Sequence, residues 1–233
     1  MEPILLPSKI RFAHGERPHE GTLTVEPCAQ GYGTTLGNAL RRVLLSSLSG
    51  AAVTAVKIKG AEHEFSTITH IKEDALEIIL NLKTLRLKLF SEEPVKLTLK
   101  VKGERVVTAK DFAPDAQVEI MNPELVLANI TDPSATFEME IWVGPGRGYR
   151  TTEQRSKEKL DLGTIAIDAL YSPVLNVSYK VEATRVGEKT DFDKLILRVE
   201  TDGTVDPLDA VNQAVTILMD NVSVLKGLTY TQE

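Results

Sequence analysis

GYGTTLGNALRRVLLSSLSG, residues 31–50, is the stretch whose reading decides what kind of fold this chain adopts. Glycines lead into a helical pattern, and two arginines interrupt an otherwise apolar run. A dinucleotide fingerprint requires glycines at its first, third and sixth positions, and a P-loop closes on Gly-Lys-Ser/Thr. Here Gly31, Gly33 and Gly37 fall at the first, third and seventh, and no lysine follows them. Neither phosphate-cradling template fits. The pattern instead predicts a tight turn at Gly31 and Gly33, a cap from Thr34 or Thr35, and a stop at Gly50.

Placing successive residues about 100° apart around the helix axis separates two faces. Leu36, Ala39, Leu40, Val43, Leu44, Ser47 and Leu48 fill one arc, the expected core face. Asn38, Arg41, Arg42 and Leu45 fall together on the other side, with Leu45 between the two arginines. A lone exposed leucine needs no explanation, but one flanked by guanidinium groups also suits a protein-docking patch. The small residues Gly37, Ala39, Ser46 and Ser47 would let another backbone approach closely.

Most of the remaining chain reads as strand. Leu23 and Val25 alternate in GTLTVEP, as do Val95, Leu97, Leu99 and Val101 in PVKLTLKVKG, and Phe137, Met139, Ile141 and Val143 in TFEMEIWVG. AVTAVKIKG carries Val53, Val56 and Ile58, and NVSYKVEATRV and DKLILRVETDG are two further runs joined by the polar GEKTDFD. Period-2 patterning between turn residues is the antiparallel signal. LGTIAIDALYSPVLN fits helix and strand alike. A second helix is expected over residues 72–83, with Ala75, Ile78, Ile79 and Leu82 inward. A third spans residues 206–227, with Asp206 as N-cap and Pro207 in the first turn. In it Leu208, Val211, Val215, Leu218, Val222 and Leu225 form an a/d seam, while Ile217, Met219 and Val224 add a second apolar flank. One side can cover the helix's own sheet and the other meet a partner helix, most simply from a second copy. No Pro/Gly/Ser linker divides the chain, which points to an inserted rather than an appended second domain.

The chemistry of the chain is unremarkable in composition. Over 233 residues it is 42% hydrophobic and 26% charged, with a net charge of −6, which argues against a main role in non-specific nucleic-acid or acidic-membrane binding. A single cysteine, Cys28, permits neither an intrachain disulfide nor a thiolate metal cage and fits a reducing, cytoplasmic setting. MEPILLPSKIRF is not a signal peptide, and no run is long enough to span a bilayer. His63 beside Glu64 lacks a zinc spacing, and no Gly-x-Ser-x-Gly elbow occurs. Asp191 and Asp193 could in principle hold Mg²⁺, but two carboxylates in a polar hairpin loop are more often turn chemistry. Arg147 and Arg150 in GPGRGYR could meet a phosphate or an acidic loop, a weak signal without a helix behind it. No catalytic or metal residue is expected.

Taken in order, GYGTTLGNALRRVLLSSLSG, HEFSTI, EDALEIILNLK, GRGY, YSPV, DKLILRVETDGTVDP and the terminal heptad helix resemble the N-terminal domain of the bacterial RNA polymerase alpha-subunit family. The likeness covers about residues 10–228. It implies an α+β fold of two subdomains, mostly antiparallel sheets with few helices. Both chain ends, 1–49 and 173–233, would form a dimerisation subdomain, and 50–172 a β-rich insert that contacts the large subunits.

The resemblance further implies a non-catalytic subunit of a nucleotidyltransferase, DNA-directed RNA polymerase, whose homodimer is the platform for the β and β′ subunits in transcription. Arg42 and Leu45 would contact β, with Arg41 and Asn38 beside them, and Lys83 and Ile167 would lie among the insert's large-subunit contacts. Tyr32, Leu36, Leu40 and Leu44 would meet Val211, Val215, Leu218, Val222 and Leu225 across the dimer axis. No cofactor is implied in this chain, because Mg²⁺ belongs to the catalytic large subunit. Gln30 and Ser49 depart from the family's usual arginine and proline, and TITHI lacks a glycine often seen there. Family members usually continue through a linker into a helical DNA-binding domain. The sequence stops at Glu233, so direct DNA contact is not expected of it. The alternatives are a free-standing dimeric scaffold or regulator of the same fold, or a small-molecule enzyme using the glycine-led turn.

Overall fold

In the computed structural model, residues 4–155, 161–187 and 189–227 are described. In chain order the first strands are β1 (Lys9–His14), β2 (Glu20–Cys28), β3 (Ser49–Ile58), β4 (Leu87–Leu89), β5 (Val95–Lys102), β6 (Arg105–Thr108) and β7 (Val118–Ile120). They are followed by β8 (Val126–Ile130), β9 (Thr136–Arg147), β10 (Tyr149–Arg150), β11 (Ile165–Ala166), β12 (Ala169–Leu170), β13 (Val174–Val186) and β14 (Lys189–Thr201). The α-helices are α1 (Tyr32–Ser46), α2 (Ala75–Lys83) and α3 (Pro207–Ser223). Every strand pairing is antiparallel. The fold is α+β, and no helix among the described residues is long and apolar enough to cross a membrane.

The chain divides into two compact units. One joins the residues up to Leu48 with those from Pro173 onward, and the other is Ser49–Ser172. The resemblance implies boundaries at about 49/50 and 172/173.

In the discontinuous unit the sheet order is β1-β2-β14-β13. Register places Leu23 opposite Leu197 and Val177 opposite Val199, so alternate residues of three strands line one face. Leu40, Leu44 and Leu48 from the first helical segment and Ala210, Val211 and Ala214 of α3 close over that face. Leu44 is wholly buried, a position that contributes about 1.5–3 kcal/mol by leaving water. Asp206 caps α3 by accepting from the Leu208 N–H at 2.8 Å, and Pro207 occupies the first turn, where its missing N–H costs nothing.

The insert is built on the sheet β11-β3-β9-β5, with the pairs β4-β7, β6-β8 and β10-β12 around it. Val56, Ile141 and Leu97 form one cross-strand row, and Ile58, Met139 and Leu99 the next. Ala75, Ile78, Ile79 and Leu82 of α2 are buried against this core. Asp74 caps α2 by accepting from the Glu77 N–H at 2.7 Å. LGTIAIDALYSPVLN is extended, supplying β11, β12 and the start of β13.

Two local expectations fail. The polar stretch GEKTDFD is largely strand: β13 and β14 run into it until Val186 faces Lys189. Gly50 does not stop the first helix, which ends at Ser46 with Ser47 as C-cap, and Gly50 already pairs with Gly146 in β3. The β3–β9 ladder already begins at Ser49, opposite Arg147, one residue before the glycine.

Candidate functional site

α1 begins without a side-chain cap of its own. Gly31 is the N-cap with φ +85°, a left-handed value that favours glycine. Thr34 and Thr35 lie inside the first turn, and the Thr35 hydroxyl donates back to the Gly31 carbonyl at 3.1 Å, so neither is the cap. The orphan N–H groups of Gly31 and Gly33 donate instead to Asp193 Oδ2 on β14, at 2.9 and 3.1 Å. Asp193 thus caps α1 rather than serving turn chemistry. Its charge, after burial itself, helps to push the Cys28 thiol pKa up. Among the described residues no cluster of His, Cys, Asp and Glu has the arrangement of a metal site.

The small residues of α1 serve this chain's own packing. A Cβ on Gly37 would sit 2.6 Å from Tyr179 Cδ2 and 2.9 Å from Leu195 Cδ1, and one on Gly33 would sit 2.9 Å from Asp193 Cβ. Both glycines let α1 settle onto β13 and β14. The core arc is correspondingly shifted: Gly33, Gly37, Leu40 and Leu44 are buried, while Leu36, Ala39 and Val43 are half-buried.

Asn38, Arg41 and Arg42 are exposed on the opposite side. The two arginines differ. Arg41 Nε donates to the Val177 carbonyl at 3.0 Å, which ties that guanidinium to β13. The Arg42 side chain has no hydrogen bond or ion pair with a described residue, and it presents its charge outward. Leu45 is half-buried against the core of its own unit, so it is not an isolated leucine in water between the arginines.

The residues expected at a dimer contact divide into two groups. Leu40, Leu44 and Val211 are buried in their own protomer, at 6, 0 and 4% exposure, and Leu36 and Leu218 are half-buried beside them. These five are core side chains, because α1 and α3 pack against each other within one chain. Tyr32, Val215, Val222 and Leu225 are exposed. From Met219 to Lys226 every described residue of α3 and the following turn is exposed, with Met219 at 66% and Val224 at 77%. Of the seam, Val211 is buried and Leu218 half-buried against the core, whereas Leu208, Val215, Val222 and Leu225 are exposed.

On the insert, Lys83 ends α2 with its ammonium 3.6 Å from Asp168 Oδ2. The Thr152 N–H donates to Asp168 Oδ1 at 2.8 Å and the Tyr149 hydroxyl to Oδ2 at 3.1 Å. These bonds, the Thr152 one first, and the nearby Lys83 charge hold the Asp168 carboxyl below the usual range. Ile167 is 1% exposed. Its N–H donates to the Thr54 carbonyl at 2.9 Å, and the Arg155 guanidinium donates to both the Thr54 and the Ile167 carbonyls. The Ile167 side chain is core, and the surface neighbours of Lys83 are Asp168 and Tyr149. GPGRGYR is structural at Gly146, where a Cβ would sit 2.6 Å from the Tyr171 ring. His63 is hydrogen-bonded to Ser66 through Nδ1 at 3.3 Å.

Sequence reading missed Asp168 altogether and, for Asp193, the capping role. The one available signal was negative: a helix whose N-cap position is Gly31, with no side-chain acceptor there, must find its acceptor elsewhere.

These features define a class: a two-unit α+β protein with an inserted β-rich domain, whose distinctive surfaces are helix faces. Residues 56–172 match the RNA polymerase Rpb3/RpoA insert domain, and the chain belongs to that family. It is 50% identical over 209 residues to the DNA-directed RNA polymerase subunit alpha of Moorella thermoacetica. It is 47% identical over 209 residues to those of Alkaliphilus oremlandii and Oceanobacillus iheyensis. Each alignment covers 90% of this chain and 66% of the relative.

Proposed function

We propose that this chain is a non-catalytic alpha subunit of DNA-directed RNA polymerase, acting in the cytoplasm as a homodimeric platform on which the β and β′ subunits assemble for transcription. The observation that carries this reading is the second half of α3. Met219, Val222, Val224 and Leu225 are exposed on a helix whose first half is anchored in a closed core. A second copy is the simplest body that covers them. Membership in the family and the names of its relatives support the polymerase as the machine served.

The mechanism is geometric. Two copies of one docking face, set at a fixed separation, meet two different large subunits. Arg42 is the residue best placed to reach β, since it is charged, exposed and mounted on a helix that its own sheet holds rigidly. Lys83 with Asp168 offers a second polar contact on the insert. Nothing in this role requires a metal ligand or a nucleotide contact in this chain, and Mg²⁺ is assigned to the catalytic large subunit.

The first test is the mass of the purified chain in solution, which should be that of two copies. The second is Arg42→Ala, which should remain a folded dimer and fail to capture β on size exclusion of the mixed subunits. A monomer at high concentration, or an intact complex with the variant, contradicts the proposal. A dimer that captures no polymerase subunit favours the free-standing scaffold instead.

A further inference from the structure

α1 is held by the β13–β14 hairpin at two polar points. At its first turn, the Gly31 and Gly33 N–H groups converge on one oxygen of Asp193. Farther along, Arg41 Nε reaches the Val177 carbonyl. Between these points Gly37 admits Tyr179 and Leu195 so closely that a Cβ there would lie 2.6 and 2.9 Å from their side chains. Successive residues on a helix point about 100° apart, so a small roll or slide of α1 redirects Arg42. The Arg41 bond fixes only its own guanidinium, on a flexible side chain. The Asp193 bonds act on the helix backbone itself, and their charge also suits the positive end of the helix dipole.

We propose that Asp193 is a positioning residue for the docking face: its carboxylate sets the depth and rotation of α1 on the sheet and so the direction in which Arg42 leaves the surface. This rests on the reading of Arg42 as a large-subunit contact. Asp193 is 162 residues from Gly31 in sequence, so the chain's last strand aims a helix near its beginning. Gly33 is the second half of the device, because only a residue without a side chain leaves room for the carboxylate there.

The test compares the full chain with Asp193→Ala, Asp193→Asn, Gly33→Ala and Arg42→Ala, each co-expressed with the large polymerase subunits. Affinity for β is measured on the complexes, and residue-resolved amide exchange on the free chains. Asp193→Ala is expected to weaken β binding about five- to ten-fold, the ratio that loss of a helix cap corresponds to. Exchange should quicken at residues 31–36 while β13 and β14 keep their protection. Asp193→Asn, which retains one acceptor oxygen, should recover part of the affinity. Gly33→Ala should lose affinity although alanine favours helix interiors. The inference is overturned if Asp193→Ala binds β normally while Arg42→Ala does not, or if asparagine rescues nothing. It is also overturned if both Asp193 variants lose protection throughout β2, β13 and β14, which would make Asp193 a general stability residue. If the unaltered chain captures no β, or Arg42→Ala captures it fully, the reading of the docking face fails and the inference goes with it.

Discussion

The helices α1 and α2 begin in opposite ways. α2 takes its cap from Asp74, the residue just before it, and buries four apolar side chains at helical spacing against the insert core. α1 borrows its cap from Asp193 on a distant strand and is seated through two glycines, against Tyr179 and Leu195 at Gly37 and against Asp193 at Gly33. A locally capped helix can be placed by its own sequence. A borrowed cap ties a helix to one location on one sheet, and that suits a surface whose orientation has to be reproducible in every copy.

The largest effects should come from the anchors that both helices share. Leu44→Ala and Ile78→Ala each empty a fully buried site and should cost about 2–5 kcal/mol, read by denaturant unfolding. If the two units are independent, Trp142, the single tryptophan, lies in β9 and should report the Ile78 change far more than the Leu44 change. Next comes the step that separates the helices. Gly37→Ala should destabilise by about 1–3 kcal/mol through overpacking, despite the helix-favouring nature of alanine. A stabilised variant would mean that the fit against Tyr179 is loose.

Asp74→Ala should cost about 1 kcal/mol, seen as faster amide exchange at the start of α2 with α1 unaffected. Acid should reveal a smaller term. The folded-state pKa of Asp168 is depressed by the Thr152 N–H, Tyr149 and Lys83. Its contribution is therefore whole above the ordinary aspartate value and is lost as pH falls through the folded one. The stability gap between the chain and Asp168→Asn should hold its full width at neutral pH and begin to close only as pH falls to about the ordinary aspartate value and below. A gap that widened in acid would reverse the sign assigned here. Last, Val222→Lys on the wet half of α3 should alter protomer folding by no more than about 0.5 kcal/mol, while sedimentation shows weaker self-association.

The contrast between α1 and α2 also explains what could be read from the chain. Alternation in β2, β5 and β9 marked Leu23, Leu97 and Ile141 as core because each sheet has one buried face, and Asp206 was legible as a cap because capping is local. The resemblance to a known family supplied the insertion, which no periodicity reveals. What stayed hidden was set by tertiary contact. Ile167 sits in a short extended stretch whose inward face depends on Thr54 and Arg155. Leu40, Leu44 and Val211 occupy positions on a seam, and a seam has the same spacing whether its partner is another chain or the same one. Asp193 looked like loop polarity because GEKTDFD carries no apolar alternation, although the hairpin pairs through it.

The exposed end of α3 has a cost for any copy that finds no mate. Met219, Val222, Val224 and Leu225 then stay hydrated together near the end of the chain, the kind of greasy surface that proteases and aggregates find first. If a second copy covers them, melting temperature should climb with protein concentration.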